Sequence, residues 1–218
     1  MKHIYLFEDR IIRLQQYNVN VEGLSNIIHR PIICPTNTDI ESYIKDNYAD
    51  AAIALIHKSY RFDNVTIDDV RGFFIAAFNI PVVIFSGASN SNIYKDNNGL
   101  IMAEINSGVL YHNLRYFHDD FVASQIPNIS ILVYGKDYLK HQLLQMQYRI
   151  NALFFNRSIN EVITNVDKDM VSDILRTFPE PKLKQDISKI LDWISKPRTN
   201  PDIIKDFLDM MQRFINRY

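Results

Sequence analysis

The chain has 218 residues, 47% of them apolar and 22% charged, with a formal net charge of −1. Such a length and composition suit a globular protein of one large domain, or a domain with an appendage. The near-zero charge excludes an overall pull toward nucleic acid or acidic membranes, and a single cysteine, Cys34, excludes an intramolecular disulfide or a CxxC zinc site.

The opening MKHIYLFEDR has too short an apolar run for a signal peptide, and no window approaches the roughly 18 apolar residues that span a bilayer. A cytoplasmic protein with no membrane partner is the expectation. The segment HIYLF (3–7) reads as a first strand ending in Glu8-Asp9. Residues 10–28 read as a short helix, a turn near 18–23 and a second short helix, followed by an edge strand PIIC (31–34). A helix over 39–47 is predicted, capped by Asn37 or Thr38. The stretch AAIALIHKSY (51–60) organises the rest, since six small or aliphatic residues run into His57, Lys58 and Ser59. That pattern suits a strand buried on both faces of a parallel sheet, whose carboxyl end is where ligands gather. A loop over 60–66, a helix over 67–79 and a strand over 80–85 follow, the last ending in Ser86-Gly87. Residues 92–106 read as a weak helix interrupted by a turn at KDNNG, GVLY (108–111) as a last short strand, and 114–125 as a helix. ISILVY (129–134) has a strand-like composition.

Beyond it, apolar residues recur at helical spacing over 137–154, 158–178, 183–194 and after Asn200-Pro201. The chain therefore reads as an α/β domain over 1–128 and an all-helical region over 129–218, the latter suited to homodimerisation or to a protein partner. Charge shifts slightly with it, from 10 basic against 14 acidic residues up to 128 to 14 against 11 thereafter.

Three strand ends deliver an acidic pair, an imidazole and a hydroxyl to one edge. Glu8, Asp9, His57, Lys58, Ser86, Gly87 and His112 are the predicted lining of a binding crevice. Glu8 and Asp9 are candidate ligands for a divalent cation. Were the protein an enzyme, Asp9, His57 and Ser86 would carry acid–base or nucleophilic chemistry, as in a small hydrolase or a phosphoryl-handling enzyme. Ser86 lacks the G-x-S-x-G setting of a nucleophile elbow, and neither a GxGxxG nor a P-loop pattern occurs. The remaining histidines lack metal-ligand spacing. A helix-turn-helix within 158–178 would have few basic residues, so DNA binding, as by a transcription regulator, is the weaker expectation.

Residues 1–125 resemble the receiver domain of bacterial response regulators. Glu8-Asp9 in YLFEDR looks like the acidic pair after strand one, and Ser86 in VVIFSGA like the hydroxyl that ends strand four. The resemblance implies a flavodoxin-like, doubly wound parallel sheet. It also implies Mg²⁺ beside a phosphoacceptor aspartate. The strand-three position reads His57, however, and no lysine follows GVLY, where Tyr111, His112 and Asn113 stand. The resemblance with these departures implies a pseudo-receiver, a non-catalytic regulatory or adaptor protein working by protein–protein interaction. No cofactor is then expected, with Mg²⁺ at the acidic pair as the alternative.

Overall fold

A computed structural model describes residues 2–95 and 100–138, together with isolated positions between 140 and 216. Two compact units divide the chain, Met1–Lys136 and Asp137–Tyr218. The first unit is an α/β structure built on one six-stranded sheet.

The strands are β1 (His3–Phe7), β2 (Ile27–Arg30), β3 (Ala51–His57), β4 (Val82–Ser86), β5 (Asn92–Lys95) and β6 (Ile101–Asn106), in the order β2-β1-β3-β4-β6-β5. All neighbouring pairs are parallel except β5 with β6. The order of the five parallel strands is compatible with a flavodoxin-like fold. All seven residues of β3 are buried, as a continuous apolar run between two covered faces requires. Side chains alternate across the sheet. One face presents Tyr5, Phe7, Ala54, Ile56, Val82 and Ile84 to Ile40 and Ile44 of α2 (Ile40–Asn47) and to Val70 and Phe74 of α3 (Ile67–Phe78). Phe7 and Phe85 show the alternation: the first packs on Phe74, the second on Tyr111 of the opposite layer. That opposite layer is α4 (Ser107–Ser124), with Leu110, Tyr111, Leu114, Phe117 and Phe121 buried, joined by α5 (Ile129–Tyr134). The short α1 (Ile11–Gln16) follows β1 and buries only Leu14.

Several expectations are corrected. The edge strand is Ile27–Arg30, not 31–34, and the predicted second helix up to 28 is replaced by a single 3-10 turn, Val21–Gly23. Pro31 has no N–H to extend the ladder, and the Tyr60 hydroxyl donates to the carbonyls of Arg30 and Pro31 at 3.2 and 2.8 Å. Asp39, rather than Asn37 or Thr38, caps α2 by accepting from the Ser42 amide. Residues 92–106 form strands rather than a weak helix. The last parallel strand is β6, and 108–111 belongs to α4. Asn106 both ends β6 and caps α4, its Oδ1 accepting from the Gly108 amide at 2.9 Å, so strand passes into helix without a loop.

ISILVY is helical, since a six-residue apolar run does not distinguish a strand from a buried helical turn. Gly135 ends this helix at φ +63° and ψ −144°, a region essentially confined to glycine. A Cβ there would lie 2.6 Å from Asn113 Oδ1, and Asn113 is held by the bond from its Nδ2 to the Leu132 carbonyl. Gly135→Ala is expected to lower stability by about 2 kcal/mol, readable as a reduced urea midpoint with an unchanged slope.

The predicted helices over 137–154, 158–178, 183–194 and beyond 200 lie outside the described residues apart from isolated positions, as does the turn at 96–99. Among the described residues, no helix is long and apolar enough to cross a membrane.

Candidate functional site

The chain leaves β1 at Phe7, and the next residue, Glu8, is completely buried despite its charge. A carboxylate there requires donors on both oxygens. Oε1 accepts from the Arg10 amide at 2.9 Å and from Arg13 Nη1 at 2.8 Å, while Oε2 accepts from the Tyr111 hydroxyl. The main chain of Glu8 is fixed as well. Its N–H donates to the Arg30 carbonyl, and its own carbonyl accepts from His29 Nε2 at 2.9 Å. Burial pushes the Glu8 carboxyl above its ordinary range, with the Tyr111 hydroxyl, the Arg10 amide and Arg13 pulling it back.

His57 ends β3 and is 6% exposed. Its ring meets Phe85 edge-on at 5.1 Å, and Phe85 in turn meets Tyr111 at 5.6 Å. The Ser59 amide donates to His57 Nδ1 at 3.0 Å, and that nitrogen lies 2.7 Å from Ser59 Oγ. A nitrogen that accepts carries no proton, so the ring is neutral. Burial and the adjacent Arg13 charge lower its pKa from 6.5 to about 4. Asp9 completes the group. Its Oδ1 accepts from Ser59 Oγ at 2.6 Å and from Arg13 Nη1 at 3.2 Å. Burial raises the Asp9 pKa, but the Ser59 hydroxyl, Glu8 and Arg13 outweigh it and hold the carboxyl below its usual range.

Arg13 is the centre of this cluster. One nitrogen, Nη1, lies 2.8 Å from Glu8, 3.2 Å from Asp9, 2.9 and 3.0 Å from the two ring nitrogens of His57, and 3.4 Å from Ser59 Oγ. The helical spacing from Asp9 to Arg13 is the one signal in the sequence that pointed to it. Ser59 was visible only as the polar end of the β3 stretch. Tyr111 was hidden because its segment reads as a strand.

The predicted crevice residues divide between two places. Glu8, Asp9 and His57 come together. Lys58 and Ser86 each follow by one position a residue on that face, His57 and Phe85, which are directly paired in the sheet. Alternation therefore turns them to the opposite face. There they line a cavity of about 550 Å³ with Ser89, Asn92, Tyr94 and Glu104, and Ser86 Oγ bonds Ser89 Oγ at 2.8 Å. This cavity lies beside β5, which widens the sheet edge instead of covering its face as a helix would. Gly87 is exposed and offers its carbonyl to Asn106 Nδ2. His112 is exposed on α4, whereas its neighbour Tyr111 reaches Glu8.

The Asp9–His57–Ser86 trio of the enzyme alternative is thus not assembled on one face. Ser59 does touch both Asp9 and His57, but its hydroxyl donates to Asp9. Its one proton is thus directed to the acid, whereas nucleophile activation needs the histidine between the hydroxyl and the acid. An imidazole that titrates near 4 is also a weak general base at neutral pH.

Comparison with known proteins finds no matching family model, no matching curated protein and no matching solved structure.

Proposed function

We propose that the chain is a non-catalytic regulatory or adaptor protein of bacterial signalling, with a receiver-like domain that acts by protein contact rather than turnover. The strand order and the placement of Glu8-Asp9, His57 and Ser86 at the ends of β1, β3 and β4 support the resemblance. The observation that carries the reading is His57. Where a receiver presents the carboxylate that accepts a phosphoryl group, this central strand ends in a buried, neutral imidazole. The last parallel strand ends in Asn106 rather than lysine, so the cation that would meet an incoming phosphoryl is absent there too.

The resemblance implies Mg²⁺, and the residues present do not fit it. Mg²⁺ takes oxygen ligands in near-octahedral geometry, whereas this cluster offers a ring nitrogen and already holds Arg13 among its acids. Partner binding, by a second copy or another protein, is assigned to the helices predicted beyond residue 137. The DNA-binding alternative over 158–178 falls in the same region, outside the described residues. Incubation with Mg²⁺ and acetyl phosphate is expected to leave the intact mass and the melting temperature unchanged. One stable phosphoryl adduct would overturn the proposal.

A further inference from the structure

We propose that Arg13 is the resident cation of the strand-end site, a guanidinium built into the chain where a divalent ion would otherwise sit. The ligand atoms of Glu8, Asp9 and His57 all lie within 4.8 Å of one another, close enough to share one ion. Arg13 Nη1 is within 3.2 Å of a ligand atom on each of the three. An ion bonded to the same atoms at the roughly 2.0–2.2 Å of a first-row metal would collide with that nitrogen, so ion and side chain exclude each other.

Charge favours the side chain in the native protein. Glu8 is wholly buried, and its carboxylate needs a counter-charge. An arginine four residues beyond Asp9 supplies it without depending on the ion content of the surroundings. Its guanidinium is always protonated, and its Nη1 stands against both carboxylates and the imidazole at once. The consequence for regulation is that the crevice carries its cation permanently. It cannot be emptied and refilled as a metal site can.

This inference deepens the regulatory reading and rests on it for the role of the crevice. The two fail separately, because one is read from phosphoryl transfer to the native chain and the other from metal uptake by a variant. Arg13→Ala removes the cation and leaves two carboxylates, an imidazole and the Ser59 hydroxyl around the vacated space. That mixed oxygen and nitrogen set suits Co²⁺, Mn²⁺ or Zn²⁺ better than Mg²⁺. The full-length R13A protein, stripped with chelator and titrated with CoCl₂, is expected to develop the visible absorption of protein-bound Co²⁺ at one ion per chain. Its melting temperature should rise by roughly 5–10 °C at ion concentrations near 100 times the dissociation constant. The native chain should show neither response, and the R13A/H57A double variant should lose the visible band.

Should R13A need the ion to fold, refolding with CoCl₂ but not with MgCl₂ reports the same result. Three outcomes would overturn the proposal: R13A that takes up no Co²⁺, R13A that stays unfolded with and without it, or a native chain that binds Co²⁺ equally well through His57. A merely structural arginine would leave R13A destabilised with no recovery on adding metal.

Discussion

Glu8→Ala is expected to destabilise the protein by about 3–5 kcal/mol, the usual cost of removing one partner from a buried charge pair. For a chain of this length, that corresponds to a fall in melting temperature on the order of 10 °C. The loss does not come mainly from missing attraction. Alanine at this position leaves the Arg13 guanidinium, itself only 20% exposed, against Asp9 and a neutral imidazole with one carboxylate fewer. It also removes the acceptor of the Tyr111 hydroxyl and of the Arg10 amide. A double-mutant cycle with Arg13→Ala separates these contributions. Removing both partners should cost clearly less than the sum of the two single changes, because each single change strands the other charge. Additive losses would mean that the two side chains stabilise the fold independently.

The second large effect is a loss of stability in mild acid, carried by His57. Its pKa is near 6.5 in the unfolded chain and about 4 in the native one. The native protein thus binds the proton less readily than the unfolded chain does. The stability from this residue is fully present above pH 6.5 and is lost as pH falls toward 4, by about 3 kcal/mol in total. Glu8 works the other way, since its raised pKa favours the native state in acid, and Asp9, held low, adds to the loss. Urea unfolding should therefore show the native chain losing about 2 kcal/mol between neutral pH and roughly pH 5. A His57→Gln variant should show a clearly flatter dependence. Parallel curves for the two proteins would show that the ring is not held neutral.

The central sheet was legible because β1, β3 and β4 are buried on both faces and read as unbroken apolar runs bounded by polar residues. Asp39 and the capping box of Thr66 and Asp69 give α2 and α3 firm starts. Only the second lies where the predicted helix boundary needed no change. Legibility fails where one pattern serves two structures. GVLY and ISILVY are short apolar runs, and only the Asn106 cap, the burial of Leu110 and the packing of Tyr111 on Phe85 make the first of them helical. In β5 and β6 the alternation is weak, because β5 is an edge strand with exposed ends.

Half of the site was readable for the same reason. Strand ends are visible in a sequence, so Glu8, Asp9 and His57 could be brought together. The face on which each side chain falls depends on register. Ser86 was grouped with His57 because both end strands, yet His57 pairs with Phe85, and Ser86 turns away. Arg13 was missed because α1 is only six residues long and reads as an ordinary amphipathic turn. Its role follows from Glu8 being completely buried, a property of the folded sheet and not of the local sequence.

The most direct test of the account is nuclear magnetic resonance of the His57 ring nitrogens in the native chain, with and without millimolar MgCl₂. The ring is expected to be neutral at pH 7, in line with a pKa of about 4, with resonances that Mg²⁺ leaves in place because Arg13 already stands between Glu8, Asp9 and His57. A ring that titrates near its ordinary pKa, or resonances of His57 that shift on adding Mg²⁺, would contradict it.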